Sequence, residues 1–526
     1  MSFETNTLTT IQVKCPINGK ELYSITDPDD ATLDRVFATA KAIEPKLRAM
    51  TVQQRVEEML KVNDWVIKNQ EFILDRIIEE TGKSRLDALA AEVFEVCDVI
   101  DHFKKVAPKV LADQKVHTPI VLLGKKSKIV YEPMGTVLLI SPWNFPFYQG
   151  IIPGLLAFLA GNAVIWKPSE VTPLKGVVEK MVEESGFMKD AIQVVYGGKM
   201  TGSKLIDRRP AKVHFTGSVN TGRRIMEQCS KYLIPVDLEL GGKDPAIVFD
   251  DISIERTVNG IMWGAFTNAG QSCTSIERLY VQDTIHDELV KELVDKTKKL
   301  KVSHDNRNYK DPEDCDVGTV TAEFQIKIIE SHIQDAVEKG AKVLCGGSRE
   351  PGKHHFPPTV IVDADHTMKI MTEETFGPVV AVMKFKTEEE AIRLSNDSPY
   401  GLGASVWSKD LKRAEKVAKQ IITGNVSINS HMLTEANPAL PFGGIKDSGF
   451  GRYKGDVGLL TFSNSKSILI DTQGSKIEPH WYPFTKTKYS MLTDLMRALF
   501  SRSKNWIKFA TVGLKIDSIG GKEKIK

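Results

Sequence analysis

Residues 135–170 read GTVLLISPWNFPFYQGIIPGLLAFLAGNAVIWKPSE and determine the class of the fold. Two short apolar runs, Thr136 to Ile140 and Ala163 to Trp166, predict strands at either end of this stretch. The apolar run that starts at Ile151 is interrupted by glycine and proline and falls short of the roughly 20 residues that span a bilayer. It therefore predicts a buried helix that feeds a strand. Strands that alternate with helices are typical of a parallel sheet covered on both faces.

The same alternation continues along most of the chain. Further strands of the first half are predicted at Ile192 to Val195, Lys212 to Phe215 and Ala246 to Phe249. A second α/β stretch runs from Ile252 to Asn437, with strands predicted at Arg278 to Val281, Lys342 to Cys345, Val379 to Phe385 and Ala404 to Trp407. Amphipathic helices are predicted over Asp30 to Phe103, and an extended segment over Lys126 to Met134. We expect the site in the cleft between the two halves, because ligands gather at the carboxyl ends of parallel strands.

Composition excludes several classes of protein. With 526 residues, 41% hydrophobic and 26% charged, the chain is long enough for two or three domains with a large core. The six cysteines are scattered without CxxC pairs or histidines at ligand spacing, which argues against a disulfide framework and against a metal site. The start, Met1 to Thr5, shows no signal-peptide pattern. These features predict a cytoplasmic protein.

Charge is concentrated at the end of the chain. Residues 475–526 carry eleven Lys or Arg against four Asp or Glu, a local charge of +7 in a chain whose total is +2. The remainder is therefore acidic, by about −5. A nucleic-acid footprint over the main body is not indicated, and only the basic tail keeps that alternative open.

An isolated thiol and an upstream carboxylate are the candidate catalytic pair. Cys273 lies in GQSCT (270–274), about thirty residues after Glu239 in ELGGK (239–243). A thiol nucleophile and a carboxyl base on separate elements favour covalent catalysis followed by hydrolysis, with the thiolate as the reactive species. The alternative is a buried structural cysteine beside a surface glutamate.

Two strand ends are candidate nucleotide contacts. FTGS (215–218) is followed by Gly222 and by a helix predicted to begin near Arg223, so its backbone amides are placed to face a phosphate. In KPSE (167–170), Lys167 and Glu170 are spaced to hold the two hydroxyls of a ribose. A GxGxxG fingerprint is absent, and the alternatives are a plain strand-to-helix turn and a capped surface turn.

Together these motifs resemble the aldehyde dehydrogenase superfamily, in order and spacing, over roughly residues 25–470. The motifs that carry the resemblance are PWNFP (142–146), KPSE (167–170), FTGS (215–218), ELGGK (239–243), GQSC (270–273), ETFGP (374–378) and PFGGIKDSG (441–449). The resemblance implies an α/β protein with a Rossmann-like cofactor domain, an α/β catalytic domain and a small oligomerisation β element. The expected bounds are 1–120 and 135–250 for the NAD-binding domain, 121–134 and 452–474 for the oligomerisation element, 251–451 for the catalytic domain and 475–526 for a C-terminal extension.

The resemblance also implies a role for each site residue. Cys273 resembles the nucleophile, Asn144 the side-chain donor to the oxyanion together with the Cys273 amide, and Glu239 the general base. Glu374 resembles the residue that holds the nicotinamide ribose, and Phe376 packs beside the nicotinamide. The remaining expected cofactor contacts are Trp143 and Ser218 on the phosphates, Lys167 and Glu170 on the adenosine ribose, and Ser169, Gly217, Gly222 and Leu240.

Charge and chemistry narrow the expected reaction. A carboxylate at Glu170 repels a 2′-phosphate, which favours NAD over NADP, although Lys167 is able to contact that phosphate. The presence of Glu239 favours hydrolysis of a thioester to an acid over transfer to coenzyme A. The rivals are NADP-dependent or phosphate-dependent oxidation, and a binding protein that has lost turnover. An intact set of Cys273, Glu239 and Asn144 speaks against the last.

The substrate loop and the tail supply the remaining expectations. Residues 430–437 contain no arginine, so neutral or aliphatic aldehydes, with long-chain aldehydes as one option, are favoured over dicarboxylic semialdehydes. His431 is predicted to be a solvated loop histidine first and a substrate contact second. The strand-like segment Ser465 to Ile470 resembles an oligomer-forming strand, which implies a homodimer or homotetramer. Beyond it, Leu492 to Ala510 predicts one basic amphipathic helix that contacts either a membrane surface or a neighbouring subunit.

Overall fold

The computed structural model describes residues 9–523 and 525. The segment Met1 to Thr5, on which the signal-peptide prediction depends, lies outside the described residues. The chain forms two compact units. One takes the chain up to Ala112 together with Tyr131–Asn464, and the other takes Asp113–Val130 together with the chain from Ser465 onwards.

The strands follow one another along the chain in this order: β1 Thr10–Lys14, β2 Glu21–Thr26, β3 Gln114–Val116, β4 Lys125–Pro133, β5 Thr136–Ile140, β6 Ala163–Lys167, β7 Ile192–Val194, β8 Lys212–Thr216, β9 Val236–Glu239, β10 Asp244–Val248, β11 Ile276–Gln282, β12 Lys342–Cys345, β13 Thr359–Val362, β14 Val379–Phe385, β15 Ser405–Trp407, β16 Ser427–Ile428, β17 Gly449–Phe450 and β18 Ser463–Asp471.

The α-helices are α1 Asp30–Ala49, α2 Val52–Lys68, α3 Gln70–Thr81, α4 Arg85–Ala88, α5 Glu95–Val110, α6 Tyr148–Leu159, α7 Val177–Ser185, α8 Lys199–Asp207, α9 Val219–Ser230, α10 Ile254–Phe266, α11 His286–Thr297, α12 Glu323–Glu338, α13 Lys369–Thr372, α14 Glu388–Asn396, α15 Leu411–Ala418, α16 Leu433–Ala436, α17 Gly455–Leu460, α18 Lys486–Phe500 and α19 Trp506–Lys522.

Two parallel sheets organise the larger unit. The first has the strand order β17-β9-β8-β5-β6-β7, with only β17 antiparallel to its neighbour. The second has the order β12-β13-β14-β11-β10-β15-β16, with only β12 antiparallel. The predicted α/β class and its parallel strands are therefore confirmed.

One strand lies in a different sheet from the one we expected. The predicted strand at Ala246 to Phe249 was grouped with the first half, but β10 pairs with β11 and β15 in the second sheet. The apolar pattern of β10 is that of a buried parallel strand in either sheet. Only the pairing register, such as Ile247 opposite Tyr280, fixes its place.

Burial explains why residues 135–170 determine the fold class. Every residue of β5 and β6 is buried, and so is every residue of α6 between them. A helix that is apolar all round must lie inside the protein. Each buried leucine or isoleucine side chain contributes about 1.5–3 kcal/mol relative to exposure, so this βαβ unit forms the centre of the first core.

Two predicted helix boundaries were wrong. The helix after FTGS begins at Val219 and not near Arg223, because the Ser218 hydroxyl accepts a hydrogen bond from the Thr221 amide and caps the first turn. The single tail helix is in fact the pair α18 and α19. Residues 501–505 separate the two helices, and the Asn505 side chain caps the start of α19 by accepting from Lys508 N.

The smaller unit contains a three-stranded sheet, in the order β18-β4-β3, and the helix pair α18 and α19. The extended segment predicted at Lys126 to Met134 is β4. Over the described part of the chain, no helix combines the length and the apolar character that crossing a membrane requires.

Candidate active site

A cavity of about 700 Å³ opens where the strands of the first sheet end. Of the predicted site residues, all but Gly222 line it: Asn144, Glu239, Cys273, Trp143, Lys167, Ser169, Glu170, Gly217, Ser218, Leu240, Glu374 and Phe376. Residues that are far apart in sequence thus line one cavity, as expected for a site at the carboxyl ends of parallel strands.

A strained turn presents the predicted nucleophile. Before Cys273 the backbone takes left-handed values at Asn268 and Ala269, with φ of 50° and 54°, and again at Gly270. A Cβ on Gly270 would stand 2.0 Å from the carbonyl oxygen of Gly377. Strain of this kind persists only where the surrounding structure enforces it, and it clusters at functional sites.

The Cys273 thiol is protonated at rest. Burial raises its pKa well above the ordinary value, and the carboxylate of Glu435 raises it further. Because the thiolate is the nucleophile, this thiol needs a base at the moment of reaction. Glu239 lines the same cavity and carries a carboxyl group.

Glu239 is a buried carboxylate without a direct partner. It ends strand β9, is 3% exposed, and neither carboxylate oxygen has a hydrogen-bond partner among the described residues. Burial raises its pKa well above the ordinary value, Asp237 adds to the increase, and Arg452 opposes it. Buried polar groups are rarely left unsatisfied in folded proteins, so such a group in a cavity marks a functional site.

Asn144 is held at two points. Its side-chain Nδ2 donates a 3.0 Å hydrogen bond to Gln271 O, which uses one of its two N–H groups. The backbone carbonyl oxygen of Asn144 accepts hydrogen bonds from Lys83 Nζ at 2.8 Å and from Asn268 Nδ2 at 3.1 Å. The second amide hydrogen is left for a ligand.

A buried ion pair beneath Asn144 was missed by the sequence analysis. Lys83 Nζ and Glu92 Oε1 are 2.5 Å apart and both side chains are inaccessible to solvent. Glu92 Oε2 in turn accepts from Phe147 N at 2.8 Å. Nothing in the sequence distinguishes Lys83 from the many charged residues of the helical stretch, because only the folded chain brings it to both Glu92 and the distant Asn144 carbonyl.

The two predicted ribose-binding residues, Lys167 and Glu170, form an ion pair with each other. Lys167 Nζ lies 2.9 Å from Glu170 Oε2, and Lys167 is only 4% exposed. Helices α8 and α9 form the next part of the wall, and the N-terminus of α9, capped by Ser218, faces the cavity. Gly222 does not line the cavity but packs behind Leu240, which does. A Cβ at position 222 would stand 2.6 Å from a methyl carbon of Leu240.

A second charged pair positions the ETFGP turn. The carboxylate of Glu277 accepts from the amides of Thr375 at 2.8 Å and Phe376 at 2.9 Å, and it forms a buried ion pair with Lys243. Phe376 has a left-handed φ of 50°, and its ring meets that of Trp143 edge to face with centroids 5.3 Å apart. Glu277 was not predicted, because no motif includes it.

Glu374 lies over the glycine pair of ELGGK. Its Oε1 accepts from Gly242 N at 3.0 Å, and a Cβ on Gly241 would stand 2.3 Å from its Oε2. Burial raises the pKa of Glu374 to about 8. A side chain at position 241 would therefore displace this carboxylate from the cavity wall.

These features fit a dinucleotide. The cavity has a helix N-terminus suited to phosphate, side chains of α8 and α9 along its wall, and two carboxyl groups, Glu170 and Glu374, suited to ribose hydroxyls. Its volume lies within the range of small-molecule and cofactor sites.

Comparisons with known proteins agree with this geometry. A sequence model described as the aldehyde dehydrogenase family matches residues 3–468. The chain belongs to this family. As an aldehyde dehydrogenase family member it is an oxidoreductase that acts on aldehydes.

Three relatives of this aldehyde dehydrogenase differ in their named properties. It is 38% identical over 484 residues to 4,4′-diapolycopene aldehyde oxidase of Methylomonas sp, which covers 92% of this chain and 90% of that protein. It resembles a solved betaine aldehyde dehydrogenase of Staphylococcus aureus in complex with NAD+, with TM-score 0.83, 32% identity and coverage of 90% and 96%. It also resembles a solved NADP-dependent enzyme of E. coli, with TM-score 0.82, 31% identity and coverage of 88% and 95%.

The loop at 430–437 corrects one prediction about this aldehyde dehydrogenase. His431 is not solvated: it is 3% exposed and its Nε2 donates a 2.5 Å hydrogen bond to Thr274 O. Burial lowers the pKa of His431 to about 4, so the ring is neutral and positions the residue after Cys273. Glu435 of the same loop, which was not singled out, bonds Thr274 Oγ1 and Tyr453 OH, each at 3.3 Å.

Proposed function

We propose that this chain oxidises a neutral or aliphatic aldehyde, with long-chain aldehydes as one option, to the carboxylic acid with NAD as hydride acceptor. One observation carries the proposal: the thiol of Cys273 and the unpartnered carboxylate of Glu239 line the same cavity as the residues suited to a dinucleotide. We place catalysis on Cys273, Glu239 and Asn144.

In the first half of the reaction, Cys273 Sγ bonds to the aldehyde carbon as its proton leaves for Glu239. The aldehyde oxygen becomes an oxyanion, and Asn144 Nδ2 and the Cys273 amide donate to it. The bound NAD supplies the acceptor for the hydride that leaves this carbon. The product on the protein is a thioester of Cys273.

In the second half, Glu239 acts as the general base on a water molecule. Glu239 first releases the thiol proton to solvent. It then takes a proton from water as the water oxygen bonds to the thioester carbon, and the carbon–sulfur bond breaks to release the acid, with the sulfur of Cys273 leaving as a thiolate that is protonated again. Burial raises the pKa of Glu239, and a carboxylate with a raised pKa is a stronger base than an ordinary one, which suits this role. This supports hydrolysis over transfer to coenzyme A or phosphate.

The cofactor preference rests on Glu170. Its carboxylate is at the position expected for the adenosine ribose and repels a 2′-phosphate. The 2.9 Å ion pair with Lys167 reduces that repulsion, since a cation is already present. Relatives include one solved with NAD+ and one named as NADP-dependent, so the preference for NAD is our proposal from the local charge.

The substrate preference rests on Glu435. A carboxylate that bonds Thr274, next to the nucleophile, disfavours an aldehyde with a second carboxylate. Relatives are named for diapolycopene aldehyde and for betaine aldehyde, so the family relationship leaves the substrate open. Burial raises the pKa of Glu435, and in its ionised form this group supports a substrate without negative charge.

A direct assay tests the function. Purified protein with NAD or NADP and aldehydes of increasing chain length should produce NADH absorbance, and Cys273→Ala should abolish it. Cys345→Ala is the matched control, because Cys345 is another partly exposed cysteine and lies outside the cavity. No reduction with any aldehyde and either cofactor would favour the binding-protein alternative, and faster turnover with NADP would overturn the cofactor assignment.

For the helix pair α18 and α19 and their connection, the tail hairpin, we propose contact with an anionic membrane surface. Large apolar side chains are exposed on it at helical spacing: Tyr489, Leu492, Met496 and Phe500 on α18, and Trp506, Ile507 and Leu514 on α19. Exposed cations accompany them at Arg497, Arg502, Lys504 and Lys515. Apolar and basic residues on one amphipathic element are typical of membrane-surface helices. This supports a cytoplasmic protein with peripheral membrane contact.

The edge strand β18 supports the prediction of a homodimer or homotetramer. It is the outer strand of its sheet and is exposed over most of its nine residues. An exposed edge offers unpaired backbone groups to another chain.

A further inference from the structure

The buried ion pair of Lys83 and Glu92 lies behind the cavity and does not line it. Taking two charges out of water costs free energy that their attraction repays only in part, so stability is a weak explanation for such a pair. Glu92 also lies in a short π-helix, Leu89–Phe94, between α4 and α5. Helical turns of this kind are rare and are frequent at functional sites.

The pair holds the turn that carries the proposed oxyanion donor. Lys83 Nζ donates a 2.8 Å hydrogen bond to the backbone carbonyl of Asn144 and lies 4.4 Å from the centroid of the Phe145 ring. On the other side, Glu92 Oε2 accepts a 2.8 Å hydrogen bond from Phe147 N. Each charge thus bonds one end of the turn, and the contact between the charges holds the two ends together.

Residues 83–92 also hold the turn that presents the nucleophile. Asp87 Oδ2 accepts a 3.0 Å hydrogen bond from Asn268 N in that turn. The Asn268 side chain donates a 3.1 Å hydrogen bond to the Asn144 carbonyl oxygen, which also receives the lysine ammonium. One segment of the chain therefore bonds both turns, and it fixes the Asn144 amide relative to Cys273.

We propose that Lys83, through its pair with Glu92, is a positioning residue that holds the Asn144 amide where the oxyanion forms. The proposal rests on the proposed role of Asn144 as oxyanion donor. An oxyanion forms twice, when the thiol bonds to the substrate carbonyl and when water bonds to the thioester. Loss of one oxyanion donor lowers a rate by about 10²- to 10³-fold, and a displacement of about 1 Å is enough for a large loss. The pair should therefore govern both steps without contacting the substrate.

The test uses hydrolysis of p-nitrophenyl acetate, an activated ester that acylates the thiol without any nicotinamide cofactor. The burst of p-nitrophenolate measures acylation and the steady phase measures deacylation. The variant combines Lys83→Met with Glu92→Gln, because removing both charges leaves no unpaired charge in the interior. We expect the burst and steady rates to fall about tenfold or more. The KM for the ester should stay within about twofold of the wild type, because the two steps slow together.

Alkylation by iodoacetamide separates positioning from general damage to the site. The reagent attacks the same thiol by displacement and forms no oxyanion, so the alkylation rate of Cys273, measured by peptide mass spectrometry, should stay within about twofold. Lys105→Met is the control, since Lys105 is an exposed lysine paired with Asp101 on α5. An equal loss of alkylation and ester hydrolysis, or an unchanged burst and steady phase, would overturn the proposal.

A milder variant tests the same clamp with less disturbance of the fold. Glu92→Gln alone keeps the shape of the side chain, but its amide accepts hydrogen bonds at one end only, so it cannot serve both Lys83 and the Phe147 amide. The burst and steady rates should fall about threefold, again with unchanged alkylation of the thiol. Rates equal to those of the wild type would contradict the clamp.

Asn144→Ala links the pair to the oxyanion. Alone it should lower the burst rate about 10²-fold. Adding Lys83→Met and Glu92→Gln should then lower the rate by less than about twofold more, because the donor that they position is already gone. A further tenfold loss would place the effect of the pair elsewhere and overturn the inference. A wild-type burst in Asn144→Ala would instead refute the oxyanion donor of the proposed function, and the inference with it.

Discussion

Thr274 Oγ1 donates a hydrogen bond of 3.3 Å to Glu435 Oε2. Thr274 follows Cys273 directly, so a loop more than 150 residues later in the sequence places a carboxylate beside the thiol. This charge is the strongest electrostatic cause, after burial, of the raised pKa of Cys273. We therefore expect Glu435 to influence both the reactivity of the thiol and the charge of the substrate.

Replacing Glu435 tests that link. In Glu435→Gln the pKa of the Cys273 thiol should fall, because a negative charge is removed, and alkylation by iodoacetamide near neutral pH should become faster by about three- to tenfold. Turnover of a dicarboxylic semialdehyde should rise relative to that of the neutral aldehyde of the same length. The exposed variant Glu389→Gln is the control. Unchanged alkylation and unchanged preference would contradict the role of Glu435.

Glu239 is expected to govern deacylation. Glu239→Gln should leave the first acylation by p-nitrophenyl acetate detectable and slow the steady phase by about 10²-fold or more, the usual effect of losing a general base. In the wild type the steady rate should fall as the pH falls through the raised pKa of Glu239, since only the ionised carboxylate accepts a proton. Mass spectrometry should find acetyl-Cys273 accumulating in the variant. Full steady turnover would exclude Glu239 as the base.

Glu170 is expected to set the cofactor preference. In Glu170→Gln the KM for NAD should rise about tenfold, the effect of losing a hydrogen bond to a charged group, while the KM for NADP should fall. Cofactor binding can be measured by the quenching of protein fluorescence, and this second readout needs no turnover. A preference that does not change would place the selectivity on other residues of the cavity, such as Lys199 or Arg224.

Gly270 is expected to be intolerant of any side chain. Gly270 and Gly19 both have left-handed backbones, with φ of +68° and +73°, but a Cβ meets the Gly377 carbonyl at 2.0 Å in the first case and nothing within 4 Å in the second. Gly19→Ala should therefore cost about 1 kcal/mol of unfolding free energy from backbone strain alone. Gly270→Ala should cost about 3 kcal/mol or more. Equal melting temperatures for the two variants would contradict the close approach of the two loops.

The tail hairpin is expected to bind anionic vesicles. Co-sedimentation with vesicles rich in phosphatidylserine should fall several-fold in the triple variant Trp506→Ser, Ile507→Ser, Leu514→Ser, and also in Arg502→Glu with Lys504→Glu. High salt should weaken binding, because the electrostatic part is screened. Deleting residues 485–526 provides the limiting case. Binding that survives the deletion would contradict the membrane assignment. A lower mass of the oligomer by light scattering in the triple variant would instead assign the apolar residues to contact with a neighbouring subunit.

Local pattern determined much of this protein. Short apolar runs, together with glycine and proline positions, predicted the strands on either side of α6 and the α/β class, because burial on both faces leaves a direct signature in sequence. The motifs likewise predicted which residues line the cavity, and KPSE, FTGS and ELGGK do so from the ends of strands β6, β8 and β9. The sequence did not show which strands pair with each other. The apolar pattern of β10 fits either sheet, and only its pairing with β11 decides between them.

Charge in the interior was decided by the tertiary structure alone. His431 and Glu435 look like ordinary polar residues of a surface loop in the sequence, yet both bond Thr274, the residue after the thiol. The supporting pairs Lys83 with Glu92 and Lys243 with Glu277 were equally hidden. The reason is physical: an apolar run reports its own burial, but the energy of a buried charge depends on partners that folding brings from distant parts of the chain.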